Sequence, residues 1–235
     1  MNILVLGYFG FVTNQLDGQT IKTRDIYNLL LKKSADTVDF FDTQTFKKSQ
    51  LNILVFLKKL IKADVLFYLP AHSNLKYIFP FVFIITKLLR IKVNYLVVGG
   101  WLYEFLKNKP IHRYMLARID GIYTETESLK KNLREYGFKN VDKLHNFRSV
   151  KYPILDRKVH NSPVIKLVFM ARVQPMKGVE VLFKLDKTLK EKKISNVTID
   201  IFGPVAQEYE QQFLDNISDS NISYCGIVEP EKIHD

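Results

Sequence analysis

The chain has 235 residues, of which 47% are hydrophobic and 25% are charged, and it contains only 10 Gly and 8 Pro. This composition excludes a disordered or low-complexity protein and allows a large buried core. The formal net charge is +11, and the excess lies entirely in residues 1–150, with 23 Lys and Arg against 12 Asp and Glu. Such an excess favours a nucleic acid, an anionic membrane or a phosphorylated substrate as partner, or a basic surface that only aids solubility.

The sequence predicts a cytoplasmic location. The single Cys225 permits no internal disulfide, and Met1 leads straight into an apolar run without the features of a signal peptide. The longest apolar run, YIFPFVFII at 77–85, is much shorter than the roughly 20 residues that a membrane span needs. We therefore expect a protein of the cytoplasm, either free or peripheral on the inner face of the cell membrane.

Short β-rich apolar runs alternate with helical patterns in the first part of the chain, which predicts an α/β protein with a parallel sheet and covering helices. Gly137 is placed to end the last of these helices from the C′ position. Strands are predicted at 2–9, 37–42, 64–70, 93–98, 121–126 and 141–146. Helices are predicted at 19–33, 50–62, 77–90, 112–119 and 128–137.

The same alternation restarts after a polar stretch. Pro230 is in the position of a first helical residue near the end of the sequence. These patterns predict a complete doubly wound domain at 1–149, a linker at 150–163 and a partial second domain at 164–235. Within the second domain, strands are predicted at 164–171, 197–203 and 222–228, and helices at 177–192, 206–217 and from 230 onwards.

Two basic residues follow the first strand of the predicted second domain. Ligands of such sheets bind at the loops that lead from the carboxyl ends of strands into helices, where Arg172 and Lys177 are placed. A guanidinium can bind two phosphate oxygens through parallel hydrogen bonds, and an ammonium adds a point charge on a flexible side chain. Together with the N-terminus of the helix beginning near Lys177, they predict a diphosphate site; a solvated turn is the alternative.

The segment around these two residues, LVFMARVQPMKGVEVLF, resembles the turn that opens the second domain of family-4 nucleotide-sugar glycosyltransferases, which have the two-domain GT-B fold. Five other segments resemble parts of the same family in the same order, so the resemblance spans the whole chain. These segments are LDGQTIKTRDIYNLL, ADVLFYLPAH, RIDGIYTETESLKKNLREYGFKNVDKLHNF, IDIFGPV and ISYCGIVEPEKI.

The resemblance implies transfer of a sugar from a nucleoside diphosphate donor to an acceptor hydroxyl, with retention of anomeric configuration, in the assembly of bacterial-type surface polysaccharides or glycolipids. Arg172 and Lys177 would neutralise the leaving diphosphate, so that no metal and no further cofactor is required. Gly18 would face the phosphates from the first domain. Gly203 and Gly226 would admit the ribose and the base close to the backbone.

The sequence departs from the family pattern in two places. Family members often carry a histidine after the fourth strand, near the reacting sugar, whereas this chain has Gly99, Gly100 and Trp101, so no catalytic residue is assigned. The family also carries a pair of glutamates that bind the donor's sugar and ribose, and this sequence ends before the corresponding region, so the resemblance implies a truncated and weakly active or inactive form. Trp101 could stack on an acceptor sugar or pack in the core. His72 could face the acceptor or only bond within its loop.

Residues 50–62 predict a contact with an anionic membrane surface and hence a lipid-linked acceptor. At helical spacing, Ile53, Leu54, Leu57, Leu60 and Ile61 fall on one face, and Lys58, Lys59 and Lys62 fall on the other with Val55. An ordinary solvated face remains the alternative interpretation.

Three other functions are alternatives to a glycosyltransferase. A dinucleotide-dependent oxidoreductase is suggested by GYFG after the first strand and by Asp42 at the end of the second, but the G-x-G-x-x-G fingerprint is absent. A nucleic-acid binder is suggested by the basic first part, but its lysines form no recognisable motif, so we expect no nucleic acid partner. A sugar-nucleotide epimerase of the same fold remains open.

Overall fold

The structure is a computed structural model that describes residues 1–12, 17–34, 36–49, 51–70, 72–147 and 163–228, apart from the side chain of Lys47. It divides into two compact units, Met1–Val150 and Lys151–Asp235, which are described separately. The predicted linker, up to residue 162, and the predicted helix from Pro230 lie outside the described residues.

The first unit contains a six-stranded sheet in the order β2-β1-β3-β4-β5-β6, and every pair of neighbouring strands is parallel. Because β2 and β3 lie on opposite sides of β1, the direction of winding reverses at β1. Ligands of doubly wound sheets bind at such a switch point. The strands are β1 (Asn2–Gly7), β2 (Thr37–Asp42), β3 (Val65–Tyr68), β4 (Lys92–Leu96), β5 (Gly121–Thr124) and β6 (Val141–Lys143).

Eight helices of the first unit fall in its described residues, and they are divided unequally between the two faces of the sheet. The main core packs side chains of α2 to α8 against one face, whereas α1 packs alone against the other. The helices are α1 (Gly18–Lys33), α2 (Thr45–Lys48), α3 (Asn52–Ile61), α4 (His72–Tyr77), α5 (Phe79–Leu88), α6 (Leu102–Leu106), α7 (Pro110–Leu116) and α8 (Glu127–Glu135).

Two helix predictions for the first unit need correction. The helix predicted at 77–90 is interrupted at Ile78, because Pro80 has no N–H to continue the ladder from α4. In α3 the predicted apolar face divides: Leu60 is buried in the core, whereas Leu54 and Ile61 are exposed. The short helices α2, α4 and α6 were not predicted. Gly137 does follow α8 with φ of +87°, which confirms the predicted C′ glycine.

The second unit contains a three-stranded parallel sheet in the order β7-β8-β9. Helices α9 and α10 pack on one of its faces, around Ile201 and Phe213. Short 3-10 turns precede both helices, at Pro175–Lys177 and Gln207–Tyr209. The strands are β7 (Ile165–Met170), β8 (Val197–Phe202) and β9 (Ile222–Tyr224), and the helices are α9 (Val179–Glu191) and α10 (Glu210–Ser218).

Strand β7 pairs with β8 alone among the described residues. Its side chains Val168 and Met170, on the face away from α9, are 59% and 43% exposed. The described part of the second unit therefore has one covered face and one uncovered face, on which apolar residues such as Val168 alternate with polar ones such as Asp200. The chain as a whole is an α/β protein with two Rossmann-like units. Within the described residues, no helix is both long and apolar enough to span a bilayer.

Candidate functional site

The two predicted phosphate-binding residues lie on one loop of the second unit. Arg172 follows β7 by two residues, and Lys177 ends the 3-10 turn before α9. Both side chains are exposed, and neither forms a hydrogen bond or an ion pair with any residue that the structure describes. Their charges are therefore available to an anion.

The loop that carries Arg172 is fixed by its neighbours. The buried Val173 donates a backbone hydrogen bond to the carbonyl of Pro204 (2.9 Å) and accepts one from Ala206 (3.0 Å). Ala171, on the other side of Arg172, donates to Phe202 at 3.1 Å. The guanidinium thus extends from an anchored backbone, which reduces the entropy lost when a ligand is bound.

Helix α9 begins at Val179, two residues later than predicted. Pro175 starts a 3-10 turn, and Gly178 then takes φ of +84° as the N-cap residue. A glycine cap has no side chain to bond the first amides of the helix. The N-terminus of α9 therefore adds its positive dipole end to the same loop as Lys177.

Gly203 and Gly226, predicted on the nucleotide side, are brought together. The amide of Gly203 donates to the carbonyl of Gly226 at 2.7 Å, and the hydroxyl of Tyr224 donates to the carbonyl of Gly203 at 2.9 Å. Gly203 has φ of +133°, and a Cβ there would overlap the carbonyl oxygen of Ala171. This close approach within the chain requires the glycine at 203, and its predicted contact with a ribose stays a prediction.

Two residues near the same loop were missed in the sequence. The carboxylate of Glu180, in the first turn of α9, accepts hydrogen bonds from the hydroxyl of Tyr209 (2.6 Å) and from Gln212 (3.3 Å). Burial and the charge of Glu180 raise the pKa of Tyr209 to about 12. These bonds join α9 to α10. The only signal in the sequence was an acid in the first turn of a predicted helix.

In the first unit, the carboxyl edge of the sheet carries Gly18 at the start of α1. Asp17 caps this helix by accepting hydrogen bonds from the amides of Gln19 (3.0 Å) and Thr20 (2.9 Å). A Cβ added at Gly18 would meet no atom of the described chain within 4 Å, and φ there lies outside the left-handed region. The packing around residue 18 thus gives no reason for a glycine.

Asp42, at the end of β2, is buried and holds the loop after β1. Its carboxylate accepts backbone hydrogen bonds from Phe9 (3.3 Å), Phe11 (3.3 Å) and Gln44 (3.0 Å). Arg24 fixes the same loop by donating to the carbonyl of Phe9 at 2.7 Å. With its oxygens used in this way, Asp42 supports the loop and is not placed as the ribose-binding acid of an oxidoreductase.

The predicted acceptor-side residues His72 and Trp101 meet at the ends of β3 and β4. Their rings lie 5.2 Å apart, edge to face, and the His72 ring also lies 4.8 Å from Phe105. Trp101 is half-buried against the core, and its indole N–H donates to the carbonyl of Val98 at 2.9 Å. His72 is exposed. Trp101 is thus packed against the core and also partly accessible at this edge.

A buried ion pair lies beneath the loop that contains Gly99 and Gly100. The ammonium of Lys22, on α1, lies 2.6 Å from Oε1 of Glu125, and their side chains are 4% and 21% exposed. Oε2 of Glu125 accepts a hydrogen bond from the amide of Gly99, whose φ is +82°. No local pattern in the sequence predicted this pair. The one indication in the sequence was Lys22 itself, a charged residue next to Thr23 on the side of α1 that faces the protein.

The structure also bears on metal binding and on the other predicted sites. Within the described ranges, no three His, Cys, Asp or Glu side chains are grouped so that they could hold a metal ion. A reaction without a metal stays a prediction.

The space around two of the predicted glycines is open. A Cβ at Gly100 would meet no atom of the described residues within 4 Å, and the same holds at Gly226.

Three solved structures share the fold at low sequence identity. HepE from Anabaena, in complex with UDP and glucose, is 14% identical, with a TM-score of 0.64 over 97% of this chain and 70% of its own. The pneumococcal O-GlcNAc transferase GtfA, in complex with UDP and GlcNAc, is 14% identical, with a TM-score of 0.54 over 83% of this chain and 39% of its own. The UDP-N-acetylglucosamine 2-epimerase of Rickettsia bellii is 12% identical, with a TM-score of 0.50 over 95% of this chain and 68% of its own.

These likenesses define the fold class, an α/β protein of the GT-B type with two Rossmann-like units, as predicted. The sequence matches no protein-family model and no curated protein. The same fold serves a transferase and an epimerase among the three structures, so the reaction has to be argued from the residues.

Proposed function

We propose that the chain is a nucleotide-sugar glycosyltransferase of the family-4 type, which moves a sugar from a nucleoside diphosphate donor to an acceptor hydroxyl with retention of configuration. One observation carries the proposal. The side chains of Arg172 and Lys177, on the loop after β7, are exposed. Neither side chain forms a hydrogen bond or an ion pair with a residue that the structure describes. The likeness of the whole chain to HepE, whose structure holds UDP and glucose, supports a nucleoside diphosphate as the anion.

In this reaction the bond between C1 of the sugar and the diphosphate oxygen breaks, and the acceptor oxygen bonds to C1 after its hydroxyl loses a proton. Negative charge therefore grows on the departing diphosphate. The guanidinium of Arg172 can donate hydrogen bonds to two diphosphate oxygens at once. The ammonium of Lys177, on a flexible side chain, can stabilise the negative charge that develops there. The N-terminus of α9 adds further positive potential. With two protein cations at the leaving group, we propose that no divalent metal is required.

The remaining predicted residues take supporting roles. Gly18 would let the diphosphate approach the backbone, which the open space at its Cβ position supports. Gly203 and Gly226 would face the ribose and the base. We propose a saccharide acceptor, free or lipid-linked, beside His72 and Trp101, because aromatic rings that are partly accessible offer flat apolar surfaces for a sugar ring. Assembly of a surface polysaccharide or glycolipid would use such a reaction.

A sugar-nucleotide epimerase is the second candidate, and the likeness to the Rickettsia bellii enzyme over 95% of this chain favours it. An epimerase changes the donor sugar without an acceptor, whereas a transferase releases the nucleoside diphosphate and forms a glycoside. Arg172 and Lys177 serve either reaction, because both bind the diphosphate.

Proton NMR of UDP-glucose and UDP-N-acetylglucosamine, followed with and without saccharide acceptors and lipid extract, separates the two functions. The proposal expects UDP and a new glycoside with the anomeric configuration of the donor, and a faster release of UDP when an acceptor is present. An epimeric sugar nucleotide formed without any acceptor would contradict it.

A further inference from the structure

Helix α5 is apolar on two opposite faces. Phe79 and Val82 point into the core and are almost fully buried. A helix that is apolar all round is normally covered on every side. In α5 the face opposite the core is nevertheless open to solvent within the described part of the chain. Three of its side chains, spaced three and four residues apart, are 69%, 56% and 77% exposed, namely Phe81, Ile84 and Leu88.

This exposed stripe continues across a groove onto α3. The groove has a volume of about 560 Å³, and apart from Tyr77 the side chains that line it are wholly apolar, with Ile53 and Leu57 on the α3 side and Ile85 on the α5 side. Beyond the groove, other large apolar side chains of the same region are also exposed. We call the following six the α3–α5 surface: Leu54, Ile61, Tyr77, Phe81, Ile84 and Leu88.

The charges around this surface have one sign. Residues 51–90 contain six Lys and Arg and a single acid, Asp64. Four exposed cations of this region form no ion pair and no side-chain hydrogen bond with any residue that the structure describes. Two of them, Lys87 and Arg90, lie at the C-terminal end of α5, close to Leu88 in the sequence. The other two, Lys58 and Lys62, line a separate cavity with Asn2 and Asp39. Apolar side chains flanked by unpaired cations are typical of helices that lie in the interface of an anionic bilayer.

We propose that the α3–α5 surface docks on a membrane that contains anionic lipids. Phe81, Ile84 and Leu88 enter the boundary between head groups and acyl chains, and Lys87 and Arg90, at the C-terminal end of the same helix, contact the lipid phosphates. The charge complementarity selects this occupant over a second copy of the chain, because two such surfaces placed face to face would bring their cations together. The sequence predicts the membrane contact at residues 50–62, which contain α3. The proposal instead places the main inserted side chains on α5.

Flotation with vesicles tests the proposal without any sugar nucleotide, so its outcome is independent of the proposed enzymatic function. Wild-type protein should float with phosphatidylcholine vesicles that contain phosphatidylglycerol, should bind pure phosphatidylcholine much more weakly, and should dissociate as salt is added. In the double variant Phe81→Ser/Leu88→Ser, affinity should fall by about tenfold or more, because two large apolar side chains no longer enter the interface.

Two further variants separate the apolar and the charged contributions. Lys87→Gln/Arg90→Gln should weaken binding and make it less dependent on salt. Leu214→Ser removes a leucine on α10 that is 52% exposed, and it should bind as wild type does. Because all these positions are exposed, the variants should keep the circular dichroism and the thermal unfolding of the wild type.

A fluorescence probe gives a second readout. Trp101 is the only tryptophan, so a Phe81→Trp variant adds one indole on the α3–α5 surface. Its emission should shift to shorter wavelength on anionic vesicles, relative to wild type. Equal binding to neutral and anionic vesicles, or binding to neither, would overturn the proposal. So would a Phe81→Ser/Leu88→Ser variant that binds vesicles like wild type. A dimer of the wild type that this variant abolishes, without any vesicle binding, would assign the surface to a second copy instead.

Discussion

The ammonium of Lys22 and the carboxylate of Glu125 lie 2.6 Å apart and are largely withdrawn from solvent. The pair joins α1 to the residue that follows β5, although 103 positions separate the two residues in the sequence. Through its second oxygen, Glu125 also holds the amide of Gly99 at 3.1 Å. One ion pair thus fixes the loop that carries Trp101 at the carboxyl edge of the first unit.

Loss of the negative charge in this pair should cost more stability than loss of the positive charge. Glu125→Gln would leave the ammonium of Lys22, which is 4% exposed, without a counter-charge. We expect this change to cost about 2–4 kcal/mol in urea unfolding. Lys22→Met keeps the volume and leaves a carboxylate that is partly exposed and still bonded to Gly99, so it should cost less. Equal small effects of both substitutions would contradict this description.

The same variants should change the environment of Trp101, the only tryptophan in the chain. Without a carboxylate at 125, the hydrogen bond to Gly99 weakens and the loop gains freedom. We expect the tryptophan emission of folded Glu125→Gln to shift to longer wavelength. Lys130→Gln is a matched control, because it breaks the exposed pair of Lys130 with Asp142 on the same unit. Its emission should remain that of wild type.

Three glycine substitutions should have graded effects on stability. Gly203→Ala places a Cβ against the carbonyl of Ala171 at φ of +133°, and we expect a cost of roughly 3 kcal/mol for the second unit in thermal unfolding. Gly226→Ala meets open space at φ of +77° and should cost about 1–2 kcal/mol. Gly18→Ala has open space and no positive φ, so stability should stay within about 0.5 kcal/mol of wild type.

Gly18→Ala also tests the role proposed for that residue. If Gly18 admits a diphosphate to the backbone, the alanine variant should fold like wild type but bind nucleoside diphosphates more weakly. A variant with wild-type stability and wild-type affinity would remove Gly18 from the proposed site. A Gly203→Ala variant that is as stable as wild type would contradict the close approach of Gly203 to Ala171.

Alkaline pH should destabilise the second unit through Tyr209. Burial and Glu180 raise the pKa of its hydroxyl from 10.0 to about 12 in the folded chain. A raised pKa means that the unfolded chain loses this proton first, so the contribution to stability is complete below pH 10 and is lost as the pH rises towards 12. Tyr209→Phe should show a shallower loss of stability than wild type in this window.

The comparison has to be made between variants, because burial also raises the pKa values of Tyr68 and Tyr95 in the first unit. Circular dichroism during urea unfolding, repeated at several alkaline pH values, gives the slopes for wild type and Tyr209→Phe. Identical slopes would show that the hydroxyl of Tyr209 does not ionise differently in the folded and unfolded chains.

Periodicity predicted most of the fold, because strands and helices of a parallel α/β protein differ in the spacing of their apolar residues. Strand β2 was predicted at its observed bounds, 37–42, and Arg172 and Lys177 were correctly predicted to follow a strand. The short helix α6 was missed because five residues, Leu102–Leu106, do not complete two helical turns. The break before α5 depends on the missing N–H of Pro80, which the apolar pattern conceals.

The candidate site was harder to predict where it depends on contacts between distant segments. The partner of Lys22 lies 103 residues away, and no local pattern points to Glu125. In the same way, the need for glycine at 203 comes from the carbonyl of Ala171, the residue that follows the neighbouring strand β7. The exposed stripe on α5 could not be told from a core helix, since an apolar sequence looks alike whether or not another element covers it.

The most direct test of the proposed function is the affinity of the protein for nucleoside diphosphates. Ligand-observed NMR with UDP, GDP and ADP should detect binding of at least one of them to the wild type. Arg172→Ala and Lys177→Ala should each lose about 1.5–3 kcal/mol, or roughly ten- to a hundredfold in affinity. Lys187→Ala, which removes another exposed cation from the same unit, should bind like wild type. Binding that is unchanged in Arg172→Ala, or a wild type that binds none of the three, would contradict the account.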